Sequence, residues 1–193
     1  MREPLRVQAG GEGELVLLLL HGLGATGDVW SGLHDVLRAR WAGRWVTPDL
    51  PGHGRSGRLP RYSFGHLAAA VAECLPWGSR VVVLGHSLGG VVALTLASGW
   101  FGVPVSAVCG LGIKVVWSAE ELARGGRAGP GGSLAASRAP VVLAAGEHDP
   151  MCPADQLRTL VPDPVVLSGL GHNVHVESPQ ALWPLIERMA RSG

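Results

Sequence analysis

Short apolar runs recur along this chain, at Leu15–Leu20, Trp45–Val46, Val81–Leu84, Val105–Leu111, Val141–Ala145 and Val165–Leu167. Each is β-branched, aromatic or leucine-rich, and none alternates with polar residues as a half-exposed strand would. Continuous apolar strands belong in a parallel sheet covered on both faces. Helical patterns lie between them. Asp28 to Arg40 carries Val29, Leu33, Val36 and Leu37 at helical spacing, and Ser63 to Leu75 is alanine-rich behind Ser63 as N-cap. Ser87–Ser98, Pro153–Val161 and Pro179–Arg191 complete the set, and Leu5–Ala9 offers an edge strand. The alternation predicts an α/β fold: a doubly wound, mostly parallel sheet of about six to seven strands with helices on both faces. A chain of 193 residues suits one domain over residues 1–193, with a core of its own. In such sheets the chemistry sits beyond the carboxyl ends of the strands.

Composition narrows the classes. Hydrophobic residues make up 47% and charged residues 16%, the balance of a packed globular chain. A net charge of +1 gives no reason to expect nucleic acid or an anionic membrane as partner. Cys74, Cys109 and Cys152 are an odd number without metal-ligand spacing, and a reducing compartment is the simplest setting; no motif in the chain implies a metal or a cofactor. No apolar run approaches the roughly 20 residues that span a bilayer. Met1–Pro4 leads into a polar, glycine-rich stretch and not a signal pattern. The expectation is a soluble cytoplasmic protein.

The sharpest local signal is Gly85-His86-Ser87-Leu88-Gly89-Gly90, between the apolar runs Arg80–Leu84 and Val91–Ala97. It reads as strand, one-serine turn, helix. A turn this tight excludes bulky neighbours and lifts the serine hydroxyl above the sheet end. Ser87 is the candidate nucleophile. The Leu88 N–H, at a helix N-terminus, is a candidate oxyanion donor.

The other strand ends supply partners. His21-Gly22-Leu23-Gly24 follows the first run, and the Leu23 N–H is the candidate second oxyanion donor; His21 reads as structural. In Asp49-Leu50-Pro51-Gly52-His53-Gly54-Arg55-Ser56-Gly57, the residues Asp49, His53 and Arg55 read as ties of a rigid loop. Asp149, in Gly146-Glu147-His148-Asp149-Pro150, is the candidate acid, with Glu147 its rival. A carboxylate there would hold a histidine in the tautomer that accepts the serine proton. His172, in Gly169-Leu170-Gly171-His172-Asn173, is the candidate base. Its competitor His175 stands at a helix start, where bracing Glu177 or packing is expected of it. Ser87, Asp149 and His172 follow the chain order of one fold among those that use this constellation.

With these motifs in that order, the chain resembles the α/β-hydrolases related to esterases, enol-lactonases, proline iminopeptidases and meta-cleavage-product hydrolases. The matching segments are His21–Gly24, Asp49–Gly57, Gly85–Gly90, Gly146–Pro150 and Gly169–Pro179, spread over almost the whole chain. The resemblance implies a nucleophilic Ser87, an Asp149–His172 pair, and an oxyanion hole from the Leu23 and Leu88 amides. It implies a serine hydrolase acting on small carboxylic esters, with thioesters or lactones as near variants. Residues Gly171–Pro179 are also similar to a menaquinone-pathway synthase that uses its triad for elimination. A carbon–carbon-bond hydrolase or a lyase is therefore the alternative, and a non-catalytic ligand-binding or inactive cap-deleted scaffold the alternative of another class.

The chain departs from that family in two places. Members carry a helical cap between the strand that here ends near Leu111 and the strand Val141–Ala145. Val116–Arg124 resembles a cap's first helix, with Ser118 as N-cap and Glu121 closing a capping box. Glycine-rich Gly125–Ser133 then follows, reading as a flexible linker. Residues 117–139 are thus expected to be a vestigial or deleted cap, natural or engineered, over an open, shallow site. The amino end has room for one strand before His21 where relatives carry a hairpin pair. Candidate pocket residues are Trp30, His86 and Trp117, with packing the simpler role for each tryptophan.

Overall fold

The computed structural model describes residues 4–116 and 131–192. Successive residues of a strand face opposite sides of a sheet, yet Val16 to Leu20 of β2 (Leu15–Leu20) are all buried. Leu18 and Leu20 join one apolar cluster, and Leu17 and Leu19 the other. Val81 and Val83 of β4 (Arg80–His86) divide from Val82 and Leu84 in the same way. Each fully buried Leu or Val is worth about 1.5–3 kcal/mol relative to exposure, before the entropy of ordering it.

The remaining strands are β1 (Val7–Gly10), β3 (Arg44–Pro48), β5 (Val105–Leu111), β6 (Val141–Gly146) and β7 (Val165–Leu167). They form one sheet in the order β1-β3-β2-β4-β5-β6-β7. Neighbours from β3 to β7 run parallel. Only β1 is antiparallel, with Val7 opposite Pro48 on the outer side of β3. The expected doubly wound sheet is therefore present. The edge strand expected at Leu5–Ala9 is present as β1, so the room for only one strand before His21 is corrected: β1 and β2 both precede it. They are not hydrogen-bonded neighbours: Gly11 and Gly13, both at positive φ (72° and 138°), turn the chain so that β1 lies beyond β3.

One face is covered by α2 (Phe64–Ala72) and α3 (Leu88–Leu96), the other by α1 (Ser31–Arg40) and the helix Trp183–Arg191. Ser63 caps α2 as expected, its Oγ accepting the His66 N–H at 3.1 Å. The helix expected from Asp28 starts as a 3-10 turn, Gly27–Trp30, capped by Thr26 Oγ1 accepting the Asp28 N–H at 3.3 Å, and becomes α-helical from Ser31. The end of the glycine-rich stretch is not linker: Gly131–Ala135 is a short helix whose Ser133 hydroxyl meets that of Thr95 on α3 at 3.0 Å. Trp117, the capping box and the rest of that stretch lie outside the described residues. No helix among the described residues is long and apolar enough to cross a membrane.

Candidate active site

The carboxyl ends of β2, β4, β5, β6 and β7 open on one side of the sheet, and their loops gather there. Ser87 follows β4 at φ 51° and ψ −115°, the one non-glycine residue at positive φ among those described. An L-residue resists that conformation, and the surroundings hold it. The Ser87 N–H donates to the Leu111 carbonyl at 2.8 Å, and the Ser87 carbonyl accepts from Gly90 at 3.0 Å and Val91 at 3.3 Å. The flanking glycines are required by close approach. A Cβ on Gly85 would collide with the Gly89 carbonyl, and one on Gly89 would lie 2.6 Å from the His21 carbonyl oxygen.

Leu88 is the first residue of α3, so its N–H has no acceptor within the helix. Beside it runs the turn after β2. A Cβ on Gly22 would be 3.3 Å from Ser87 Cβ, which puts this turn against the elbow. His21 is fully buried and shapes it. His21 Nε2 accepts the Leu50 N–H at 2.8 Å, so Nδ1 carries the proton and donates to the Gly22 carbonyl at 2.8 Å. Leu23 stands at the tip, 78% exposed.

Asp149 and His172 come together across the ends of β6 and β7. His172 Nδ1 lies 2.8 Å from Asp149 Oδ2. Asp149 Oδ1 accepts the N–H groups of Met151 at 2.8 Å and Cys152 at 3.1 Å. Burial pushes the Asp149 carboxyl up, but the His172 bond, the two amides and the His172 charge outweigh it, and the group ends below the usual carboxylate range. Gly112, just past β5, fits between: a Cβ there would sit 3.2 Å from Asp149 Oδ2 and 3.3 Å from His172 Nδ1. Since the neighbouring Leu111 carbonyl holds the Ser87 N–H, the acid–histidine pair and the serine share one end of β5. Ser87 Oγ and the imidazole are not hydrogen-bonded in this conformation.

The rivals are placed elsewhere. Glu147 is exposed and its Oε2 accepts from Ser168 Oγ and the Gly169 N–H, both at 2.8 Å. His148 is exposed in the same loop. Asp49 is buried and accepts from the Gly27 N–H at 2.8 Å and the Arg55 N–H at 3.2 Å, while its carbonyl accepts from Ser56 Oγ. His53 Nδ1 lies 3.2 Å from the Pro51 carbonyl oxygen. His175 packs rather than bracing Glu177, its ring 4.6 Å from that of Trp30 and 4.4 Å from that of His86. Trp30 is fully buried, so in this conformation it is core and not an open pocket wall.

Two contributions escape residue-type reasoning. Glu177 accepts the Gly171 N–H at 2.7 Å and the Asn173 N–H at 3.0 Å, gripping the backbone on both sides of His172. His86 reaches the His172 carbonyl. A carboxylate shortly after a glycine–histidine turn is the signal that could have found the first. The second leaves no trace in residue types.

Three buried histidines have a measurable consequence. Burial, above all, lowers His34 to about 4, His86 to about 4 and His175 to about 3, from 6.5. Between about pH 6.5 and 4 the unfolded chain therefore binds protons that the folded chain does not, and stability falls as pH falls. Urea unfolding should show a clearly lower midpoint at pH 4.5 than at pH 7.5. An unchanged midpoint would contradict the neutral burial of these rings.

The profile of the Alpha/beta hydrolase family matches residues 17–137. Among curated relatives, the magnesium-chelatase 30 kDa subunit of Rhodobacter capsulatus is 43% identical over 103 residues, covering 50% of this chain and 34% of that protein. The pimeloyl-[acyl-carrier protein] methyl ester esterase of Methylococcus capsulatus is 41% identical over 93 residues, covering 48% of this chain and 35% of that protein. The matched region spans about a third of each relative's length. Among solved structures, an esterase from Thermogutta terrifontis superposes with TM-score 0.74 at 19% identity, covering 97% of this chain and 93% of that one. The thioesterase domain from the curacin biosynthetic pathway gives TM-score 0.77 at 20% identity, covering 97% and 99%. At these identities the two structures speak to the fold.

Proposed function

The chain belongs to the alpha/beta hydrolase family, and on that premise we propose that it is a serine hydrolase that cleaves small carboxylic esters. The observation that carries this reading is the convergence of a strained, elbow-mounted Ser87 with the hydrogen-bonded Asp149–His172 pair at one end of the sheet. An esterase among the relatives is consistent with it.

Ser87 Oγ attacks the ester carbonyl carbon, and His172 Nε2 takes its proton. Asp149 accepts the Nδ1–H and keeps the ring in that tautomer while the imidazolium forms. The Leu23 and Leu88 N–H groups hold the tetrahedral oxyanion. The intermediate collapses, the alcohol leaves with the proton from His172, and water repeats the cycle on the acyl-enzyme. Exposed Leu23, Met151 and Val176, at 78%, 47% and 57%, support an open rim among the described residues, and hence broad acyl selectivity. We place the protein in the cytoplasm as a small-molecule enzyme.

The test is turnover of a series of chromogenic esters of increasing acyl length, with labelling by a fluorophosphonate probe. The expected result is covalent labelling together with turnover that favours short acyl chains only weakly. Absence of both in the folded protein would refute a serine esterase and leave elimination or a non-catalytic role.

A further inference from the structure

His86 stands where three loops meet. Its Nε2 lies 3.0 Å from the His172 carbonyl oxygen. A carbonyl only accepts, so His86 carries its proton on Nε2 and donates it there. The Nδ1 edge faces the oxyanion turn, where a Cβ on Gly22 would be 3.0 Å away. The ring packs against those of His172 at 4.6 Å and His175 at 4.4 Å, and His175 rests on Trp30 at 4.6 Å. His86, His175 and Trp30 are 4%, 2% and 0% exposed, so the stack has little room to move. Ser87 is the next residue along the chain.

The three restraints on His172 act on different degrees of freedom. Asp149 fixes the rotation of the ring. Glu177 holds the amides of the residues on either side. The carbonyl of His172 itself is held by His86. We infer that His86 is a positioning residue, whose Nε2–H bond to the His172 carbonyl sets the distance between the His172 backbone and the Ser87 elbow. The inference rests on the reading of Ser87, His172 and Asp149 as the reacting set. A neutral donor suits the place, because a fixed cation 4.6 Å from the imidazole would oppose the imidazolium formed during turnover. Burial, aided by the His172 charge, keeps His86 neutral by lowering it to about 4.

A misplacement of about 1 Å between reacting groups can cost about 100-fold in rate. The experiment compares His86→Leu, His86→Asn and His86→Gln with the parent in kcat, KM and thermal stability. The Gln amide N–H reaches about as far as Nε2; the Asn amide stops short, and Leu has no donor. Expected are kcat losses of about 10- to 100-fold for Leu and Asn with KM within about threefold, and recovery by Gln to within about fivefold of the parent. Parent kcat in a folded Leu or Asn variant, or Gln no better than Leu at equal stability, would overturn the inference. So would failure of both Leu and Asn variants to fold, which would make the residue a structural brace. Ser87→Ala is run alongside. Turnover surviving in that variant would bring down the underlying reading, whereas a dead Ser87→Ala beside an unaffected His86→Leu would bring down the inference alone.

Discussion

Ser87→Ala should lower ester turnover by about 10⁵-fold or more and abolish fluorophosphonate labelling, with the fold intact. Loss of the hydroxyl removes the covalent route altogether, and His172 then has no proton to take from residue 87. Ser87→Gly should be equally inactive yet more stable. The parent holds an L-residue at φ 51° and ψ −115°, a conformation that costs about 1–3 kcal/mol. Glycine removes that strain but adds about 0.4–1 kcal/mol of unfolded-chain entropy. A net gain of about 1 kcal/mol follows for Ser87→Gly, while Ser87→Ala keeps the strain and should match the parent. Urea unfolding of the three proteins measures this order. A glycine variant no more stable than the alanine variant would mean the elbow is not strained, and residual labelling in either would mean the nucleophile lies elsewhere.

The elbow could be read from sequence because its glycines are demanded by contact. No side chain fits at Gly85 or Gly89 without meeting backbone, so the residue types record the geometry. The parallel strands were legible for a similar reason, since a strand buried on both faces must be apolar throughout. The partner of β1 was not, because antiparallel pairing with β3 depends on where two glycine turns send the chain and leaves no pattern in Val7–Gly10 itself. The loops divide along the same line. That Asp149 and not Glu147 meets His172 follows from distance past the strand: Glu147 sits immediately after β6 and turns outward to Ser168. Glu177 and His86 act on backbone amides and a carbonyl, which every residue has; the carboxylate shortly after the Gly171–His172 turn hints at the first contact, and residue types give no hint of the second. Trp30 follows the His21 turn closely in sequence, but its ring is fully buried in the apolar cluster with Leu33 and Leu182, against the His175 ring.

Asp149→Asn is the sharpest separation of the acid from its rival. Asp149 Oδ1 accepts two amide N–H groups and Oδ2 accepts His172 Nδ1–H, so both oxygens are used as acceptors. An asparagine has one acceptor and one donor group to fill those places. With its oxygen toward Met151 and Cys152, its NH₂ faces His172 and selects the tautomer protonated on Nε2, which cannot take the Ser87 proton. With its NH₂ turned the other way, it confronts two N–H donors that both need an acceptor. The first arrangement keeps the loop, so the expected outcome is a fall of about 10⁴-fold in kcat with KM within about twofold, because the acid does not touch substrate. Glu147→Gln should retain activity within about threefold, as its carboxylate faces Ser168 and Gly169 on an exposed loop. The stability difference between parent and Asp149→Asn should also depend on pH in a fixed sense. The Asp149 carboxyl is held below its unfolded value of 3.8. Its contribution is therefore fully present above that value and lost as pH falls through the folded one. The two proteins should differ most near neutrality and converge in strong acid. Retention of more than about a tenth of the parent activity by Asp149→Asn, or a larger loss in Glu147→Gln, would move the acid to the other carboxylate.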